Sequence, residues 1–236
     1  MQAEQVGDWG GGVVWRLTSG EFPSNAYICA ADVPGGAILI DGGLDPQAID
    51  AAFIALGLAP YQVFCTHGHF DHAGAAAFFQ KKYGAQVYLH KADVRTLKAS
   101  NFLLMAFKLA SRIEVADCTA VDGGAAIAVG EGDGAASVIF HAAPGHTPGS
   151  CLLELGDALF TGDTIYCRGV GLSQLPGENP DTLKASILAH WPLLSAERTI
   201  YPGHGRCASG AWVRANNQPL LQFLGLPTPD NETLPS

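Results

Sequence analysis

The stretch Thr66-His67-Gly68-His69-Phe70-Asp71-His72 sets three imidazoles and a carboxylate within one short segment. Histidine is scarce in this chain, yet His146 and His204 recur in two glycine-flanked motifs, Pro144-Gly145-His146-Thr147-Pro148-Gly149 and Tyr201-Pro202-Gly203-His204-Gly205. Between them, Thr161-Gly162-Asp163-Thr164 adds a further carboxylate. Imidazole nitrogens and carboxylate oxygens suit zinc, iron or manganese. His67, His69, Asp71, His72, His146, Asp163 and His204 together exceed what one four-coordinate ion can use, so the arithmetic points to two divalent ions.

Taken singly, a histidine at a strand end or a Gly-Asp pair is an ordinary surface or turn feature. Taken together they are not, because each of the later three follows an apolar, strand-like run: Val138-Ile139-Phe140, Ala158-Leu159-Phe160 and Thr199-Ile200-Tyr201. His90, His141 and His190 lie outside these motifs and read as ordinary histidines. Glycines beside the candidate ligands (Gly68, Gly145, Gly162, Gly203 and Gly205) permit tight turns and close backbone approach.

The elements that must position these side chains can be outlined. Residues 13–17, 26–30, 37–40 and 62–65 read as strands, bounded by glycine, proline or aspartate, and strand-like runs return at 87–89, 127–129, 138–140 and 152–155. Helices are predicted over 46–56, after a proline start, over 72–83 before Gly84, over 181–194 with a break near Pro192, and again after Ala208. Composition allows several α/β folds for this order.

The ordered pattern His67-x-His69-x-Asp71-His72, then His146, Asp163 and His204, resembles the metallo-β-lactamase superfamily, and within it the glyoxalase II-like metallohydrolases. The likeness extends from Asn25-Ala26-Tyr27-Ile28 through Leu39-Ile40-Asp41-Gly42-Gly43 to Pro202-Gly203-His204-Gly205. It implies an α/β fold of the αββα type, two β-sheets flanked by helices, with the ligands on loops at one edge. It further implies that His67, His69 and His146 hold one ion, that Asp71, His72 and His204 hold the other, and that Asp163 bridges them. The expected ions are zinc, with iron or manganese as alternatives. In such a site a shared water ionises near neutral pH and attacks an acyl carbonyl, and Asp71 could orient the hydroxide. Thr66, Thr147 and Thr164 are candidates for orienting the ligands.

Composition bounds the partners. The 236 residues are 48% hydrophobic, enough for a substantial core, and no flexible linker interrupts them, so one domain over 1–236 is expected. With 13 basic and 22 acidic residues the net charge is −9. No basic run that could neutralise phosphates appears, which disfavours nucleic acid. The N-terminus lacks a basic start and an apolar h-region, and no run approaches membrane-spanning length, so a cytoplasmic protein without a membrane partner is expected. Six cysteines without a Cys-x-x-Cys pair read as reduced, mostly buried thiols.

Two departures from the family pattern bear on substrate. The stretch after His204 is too short for the helical domain that binds glutathione in full-length relatives, and Gly171-Leu172 stands where close relatives carry Gly-Arg; Arg168 is the candidate substitute. Second, residues 93–113 form an apolar helical insertion whose centre, Phe102-Leu103-Leu104-Met105-Ala106-Phe107, is apolar all round where a surface helix should be two-faced. It could be a core helix, a lid, or a homodimer contact. As a wall beside the metals it would suit an acyl chain, and lacking any expected ligand it should govern substrate preference separately from metal binding. Phe70, Phe102, Phe107 and Arg168 are therefore the candidate substrate contacts. The reading is a dinuclear hydrolase of a thioester or related acyl ester. The alternatives are an acyl-homoserine-type lactonase on the same ligands and a persulfide dioxygenase with a single iron on His67, His146 and Asp163. Asp163 disfavours β-lactam hydrolysis, because true metallo-β-lactamases generally lack that bridging aspartate.

Overall fold

From Ala37 to Ile40 every residue is apolar, the pattern of a strand covered on both faces. The computed structural model, which describes residues 2–31, 35–130, 135–173 and 175–228, shows what covers it. Leu39 faces a helical layer, while Ile38 and Ile40 face a second sheet.

The first sheet has seven strands in chain order: β1 (Glu4–Asp8), β2 (Val13–Ser19), β3 (Ser24–Ala30), β4 (Gly36–Ile40), β5 (Ala59–Phe64), β6 (Gln86–His90) and β7 (Cys118–Val121). Its first four strands are antiparallel and the last three join in parallel. The parallel crossovers carry α1 (Pro46–Leu56), α2 (Phe70–Ala73), α3 (Ala76–Tyr83) and α4 (Val94–Ala106). The second sheet contains β8 (Ala126–Val129), β9 (Ala136–Ala142), β10 (Cys151–Leu155), β11 (Ala158–Gly162), β14 (Thr199–Pro202) and β15 (Ala208–Ser209), in the order β15-β14-β11-β10-β9-β8. A small ribbon, β12 (Ile165–Tyr166) and β13 (Gly169–Val170), follows β11, and α5 (Pro180–Ala189), α6 (Gly210–Asn216) and α7 (Gln218–Leu224) cover the outer face.

Three apolar layers result. Phe53, Phe79, Leu39 and Leu89 pack between the first sheet and its helices; Tyr27, Phe64, Phe140, Phe160 and Tyr201 fill the space between sheets; Leu159, Ile200, Leu183 and Leu220 seal the second sheet against α5 to α7. This is the expected αββα order. No described helix is long and apolar enough to cross a membrane. All six cysteines are free, with Cys118 and Cys207 half-buried and the others buried. Burial pushes the Cys151 thiol up to about 12.

Helix α1 matches its predicted range: Pro46 occupies its first turn, Asp45 caps Ala48 N at 3.0 Å, and Gly57 ends it with φ 68°. The helix predicted over 72–83 is broken into α2 and α3. Gly42 N and Gly43 N take the carbonyl of His72 at 2.6 and 3.2 Å, and Ala75 N turns to Gly43 O at 3.0 Å, so these groups leave the helical ladder. The insertion also differs from expectation. Only Leu97, Ser100 and Leu104 of α4 are buried, Phe102 is 67% exposed, and the helix stops at Ala106 well before residue 113. Residues 107–117 run irregularly, latched by Asn101, whose side chain bonds both N and O of Ile113 at 2.9 Å. The edge strands β1 and β7 escaped the sequence reading: Glu4–Asp8 is too polar to show a strand pattern, and Cys118–Val121 is too short.

Candidate metal centre

Every candidate ligand follows the C-terminal end of a strand. β5 leads to His67, His69, Asp71 and His72, β9 to His146, β11 to Asp163, and β14 to His204. Backbone bonds fasten these loops across the two sheets: Cys151 N to Thr66 O at 2.9 Å, Gly203 N to Gly162 O at 2.9 Å and Asn25 N to Gly203 O at 2.8 Å. Gly203 has no room for a side chain, since a Cβ would meet Asp163 Oδ1 at 2.3 Å and His72 Cε1 at 2.5 Å. All seven side chains converge, six buried and His204 partly exposed.

They form two adjacent groups, His67 with His69 and His146, and Asp71 with His72, Asp163 and His204. In the first, His69 Nδ1 lies 3.2 Å from His67 Nε2 and 3.1 Å from His146 Nε2. A zinc ion with nitrogen ligands at about 2.0–2.1 Å in a tetrahedron would space those nitrogens by roughly 3.3 Å. In the second, Asp71 Oδ2 stands 3.3 Å from both His72 Nε2 and His204 Nε2. Asp163 reaches both groups, with Oδ1 3.2 Å from His72 Nε2 and Oδ2 3.4 Å from His204 Nε2 and 3.6 Å from His146 Nε2.

The outer ring nitrogens settle the tautomers. His146 Nδ1 faces Gly171 O at 3.1 Å and His204 Nδ1 faces Pro23 O at 2.9 Å; a carbonyl only accepts, so each Nδ1 carries the proton and each Nε2 turns a lone pair inward. His72 Nδ1 donates to Asp41 Oδ2 at 2.9 Å. Thr66 Oγ1 donates to the same oxygen at 2.8 Å and so accepts from His67 Nδ1 at 3.1 Å. Four imidazoles thus aim Nε2 at the cluster. Among the described residues, His72 Nε2 and Asp163 Oδ1 are buried without a hydrogen-bond partner, a cost a folded protein rarely carries unless the atoms serve a ligand. The donor set and its orientation fit a pair of divalent ions.

The electrostatics differ between the two groups. Burial, then the neighbouring rings of His72, His69 and His146, hold His67 well below the usual histidine range, and burial with His146 brings His69 down to about 4. Neutral imidazole is the form a metal requires. Burial opposes ionisation of Asp71 and Asp163, but His72 and His204 outweigh it and keep both carboxyls below their ordinary values. Burial likewise opposes charge on His72 and His204, but the carboxylates win, raising His72 and bringing His204 to about 9, so an ion bound there would displace the protons on their Nε2 atoms.

Above the cluster opens a cavity of about 330 Å³ with His69, Asp71, His146, Asp163 and His204 in its floor. Phe22, Phe70, Leu103, Phe107, Tyr166 and Leu175 form its walls, and among the described residues no lysine or arginine lines it. Phe22, Phe70 and Phe107 form a three-ring cluster with centroids 5.6 to 6.0 Å apart. Glu21 fastens it, accepting from Ala110 N and Ser111 N at 3.0 Å.

Of the four expected substrate contacts, Phe70 and Phe107 are in the wall. Phe102 is not. Leu103 and Phe107 are four residues apart and share a side of the helix, whereas Phe102 is turned about 100° away from Leu103 into solvent. Arg168 is also outside: its guanidinium lies 5.5 Å from the Trp212 ring and lines a second cavity with Cys167 and Arg206. Sequence reasoning missed Phe22, Leu103, Tyr166 and Leu175 as wall residues. It also left Asp41 and Glu178, which lies 3.3 Å from His146 Nδ1, without a role.

Comparison with known proteins bears directly on this arrangement. A family model described as the metallo-β-lactamase superfamily matches residues 19–204. The chain belongs to that superfamily. A hydroxyacylglutathione hydrolase of Anaeromyxobacter dehalogenans is 36% identical over 77% of this chain, and the match spans 61% of that protein's length. Among solved structures, TTHA1623 in a di-iron-bound form superposes with a TM-score of 0.76 at 30% identity, over 87% of this chain and 99% of that one. The B3 metallo-β-lactamase BLEG-1 gives 0.77 at 25% identity, over 88% and 99%. Superfamily membership accounts for the layer order and for ligand loops gathered at one sandwich edge.

Proposed function

We propose that this chain hydrolyses a thioester or related acyl ester with two divalent ions, one on His67, His69 and His146 and the other on Asp71, His72 and His204, with Asp163 shared. The observation that carries this reading is the side-by-side pair of ligand groups, with four imidazole Nε2 atoms aimed inward, under an apolar cavity. Bound there, two ions would lower the pKa of a shared water and polarise the acyl carbonyl. Zinc fits the nitrogen-rich donor set, and iron and manganese accept the same ligands.

The chain's own groups supply the rest. Asp71, whose Oδ2 lies 3.3 Å from His72 Nε2 and His204 Nε2, would also accept a hydrogen bond from the attacking water and fix its direction. Tyr166 lines the cavity beside Asp163, and burial together with that carboxylate raises its phenol, so it remains a hydrogen-bond donor at neutral pH. Phe22, Phe70, Leu103 and Phe107 would seat the acyl chain and exclude water from it. The acyl-homoserine-type lactonase reading uses the same groups, and the uncharged walls favour it equally. A persulfide dioxygenase would leave Asp71, His72 and His204 without a task. The acidic charge and the lack of basic lining among the described residues support a small acyl substrate over nucleic acid, and six free cysteines suit the reducing cytoplasm.

The test is a panel of acyl thioesters, lactones, β-lactams and RNA offered to the metal-loaded protein. Turnover of thioesters or lactones is expected. Efficient β-lactam hydrolysis, or oxygen consumption with a glutathione persulfide, would overturn the assignment.

A further inference from the structure

The first residue of the insertion, Asp93, is fully buried and has no cationic partner among the described residues. Both of its carboxylate oxygens are used. Oδ2 accepts from Gly68 N and from Thr147 Oγ1, each at 2.7 Å. Oδ1 accepts from Gly149 N at 2.8 Å and from Thr96 Oγ1 at 3.1 Å. Gly68 lies between His67 and His69, and Thr147 follows His146. One carboxylate therefore ties the two loops that deliver the three-histidine group. The packing admits little else: a Cβ on Gly149 would come within 2.7 Å of Asp93 Cβ, and one on Gly68 within 2.6 Å of Asp93 O.

We propose that Asp93 is a positioning residue for the three-histidine ion, setting the spacing of His67 and His69 against His146 without touching metal or substrate. This rests on the two-ion reading. Its reach is selective, because Asp71 and His72 lie on α2 while Asp163 and His204 follow β11 and β14, and none of the four bonds goes to those segments. Asp93 also ends the short turn Lys91–Asp93 that leads into α4, which carries Leu103 into the cavity wall. The insertion is thus divided: its start serves the metal loops and its end the substrate cavity, contrary to the expectation that the whole segment is separable from metal binding.

The experiment uses Asp93→Asn, whose amide keeps one accepting oxygen and presents an N–H₂ to the other loop. Cobalt affinity is measured in two backgrounds: His204→Ala, where the three-histidine group binds, and His69→Ala, where the other group binds. Asp93→Asn is expected to weaken cobalt about 10- to 100-fold in the first background, the usual scale for an outer partner of a metal ligand, and by less than about threefold in the second. Thr147→Val, which removes one of the four bonds, should act in the same direction less strongly, and it carries the comparison if Asp93→Asn does not fold. Thr96→Val, whose bond reaches no ligand loop, should leave both affinities unchanged. Equal weakening in both backgrounds, or none in either, would overturn the proposal. A wild-type protein that binds fewer than two ions would instead sink the two-ion reading, so the two failures are distinct.

Discussion

Oδ2 of Asp41 lies 2.9 Å from Nδ1 of His72, on the side of the ring away from the ligand cluster. The same carboxylate accepts from Thr66 N and Thr66 Oγ1, both at 2.8 Å, so it orients His72 directly and His67 through the threonine. Asp41 achieves this from a left-handed backbone, φ 54°, which asparagine also tolerates. Asp41→Asn should therefore keep the fold but offer His72 an N–H₂, driving the proton to Nε2 and turning its lone pair away from the cluster. Metal affinity at the Asp71, His72 and His204 group should fall about 10- to 100-fold. Metal titration checks this, and an unchanged affinity would remove Asp41 from the account.

Phe107 and Phe102 should separate cleanly. Phe107→Ser removes a wall of the cavity and its contacts with Phe22 and Phe70. It should slow long or bulky acyl substrates by about 1 to 3 kcal/mol in kcat/KM relative to short ones. Phe102→Ser, at an exposed position, should change neither. Equal effects of the two variants on an acyl-length series would show that the helix acts as a whole, independent of which side faces the cavity.

Gly203→Ala should be incompatible with the centre, because the added methyl would overlap Asp163 Oδ1 and His72 Cε1. A shift of those two side chains would relieve the overlap at a typical cost of about 1 to 3 kcal/mol. The readouts are thermal stability and metal content, and both should drop together. A variant with full metal content would mean that the loop yields without disturbing the ligands.

Away from the site, burial tends to raise the Glu154 carboxyl, but hydrogen bonds from Arg198 and His141 at 2.5 and 2.7 Å outweigh it and hold the group below its ordinary value. A depressed folded-state pKa stabilises the protein above the unfolded value of about 4.3, and that contribution is lost as pH falls through the folded value. Glu154→Gln should accordingly lower Tm at pH 7, and the gap from wild type should close toward pH 3. A gap that is constant with pH would assign the effect to packing.

The seven converging residues could be picked out in the sequence because metal chemistry restricts candidate ligands to a few residue types and the turns that carry these demand glycine at neighbouring places. The covered strands could be read because Ile38, Leu39 and Ile40 are apolar on both faces. Asp41 and Asp93 could not, since a carboxylate in a loop looks the same whether it meets water or buried donors, and all their donors but Thr96 lie 25 to 56 positions away. Phe22 was hidden for the same reason: it meets Phe70 and Phe107, and Glu21 beside it bonds Ala110 N and Ser111 N, 89 and 90 positions away. The choice between Phe102 and Phe107 depended on where α4 turns its sides, which an evenly apolar run does not reveal.

On the two-ion reading, Asp163 joins two ligand groups into one centre. Counting metal ions per chain in the purified protein and in Asp163→Ala tests it most directly. The expected result is close to two ions in the wild type and loss of binding at both positions in the variant, because each group loses an oxygen within 3.2 to 3.6 Å of its histidines. A fully active protein with one tightly bound ion, and an Asp163→Ala variant that retains it, would contradict the account.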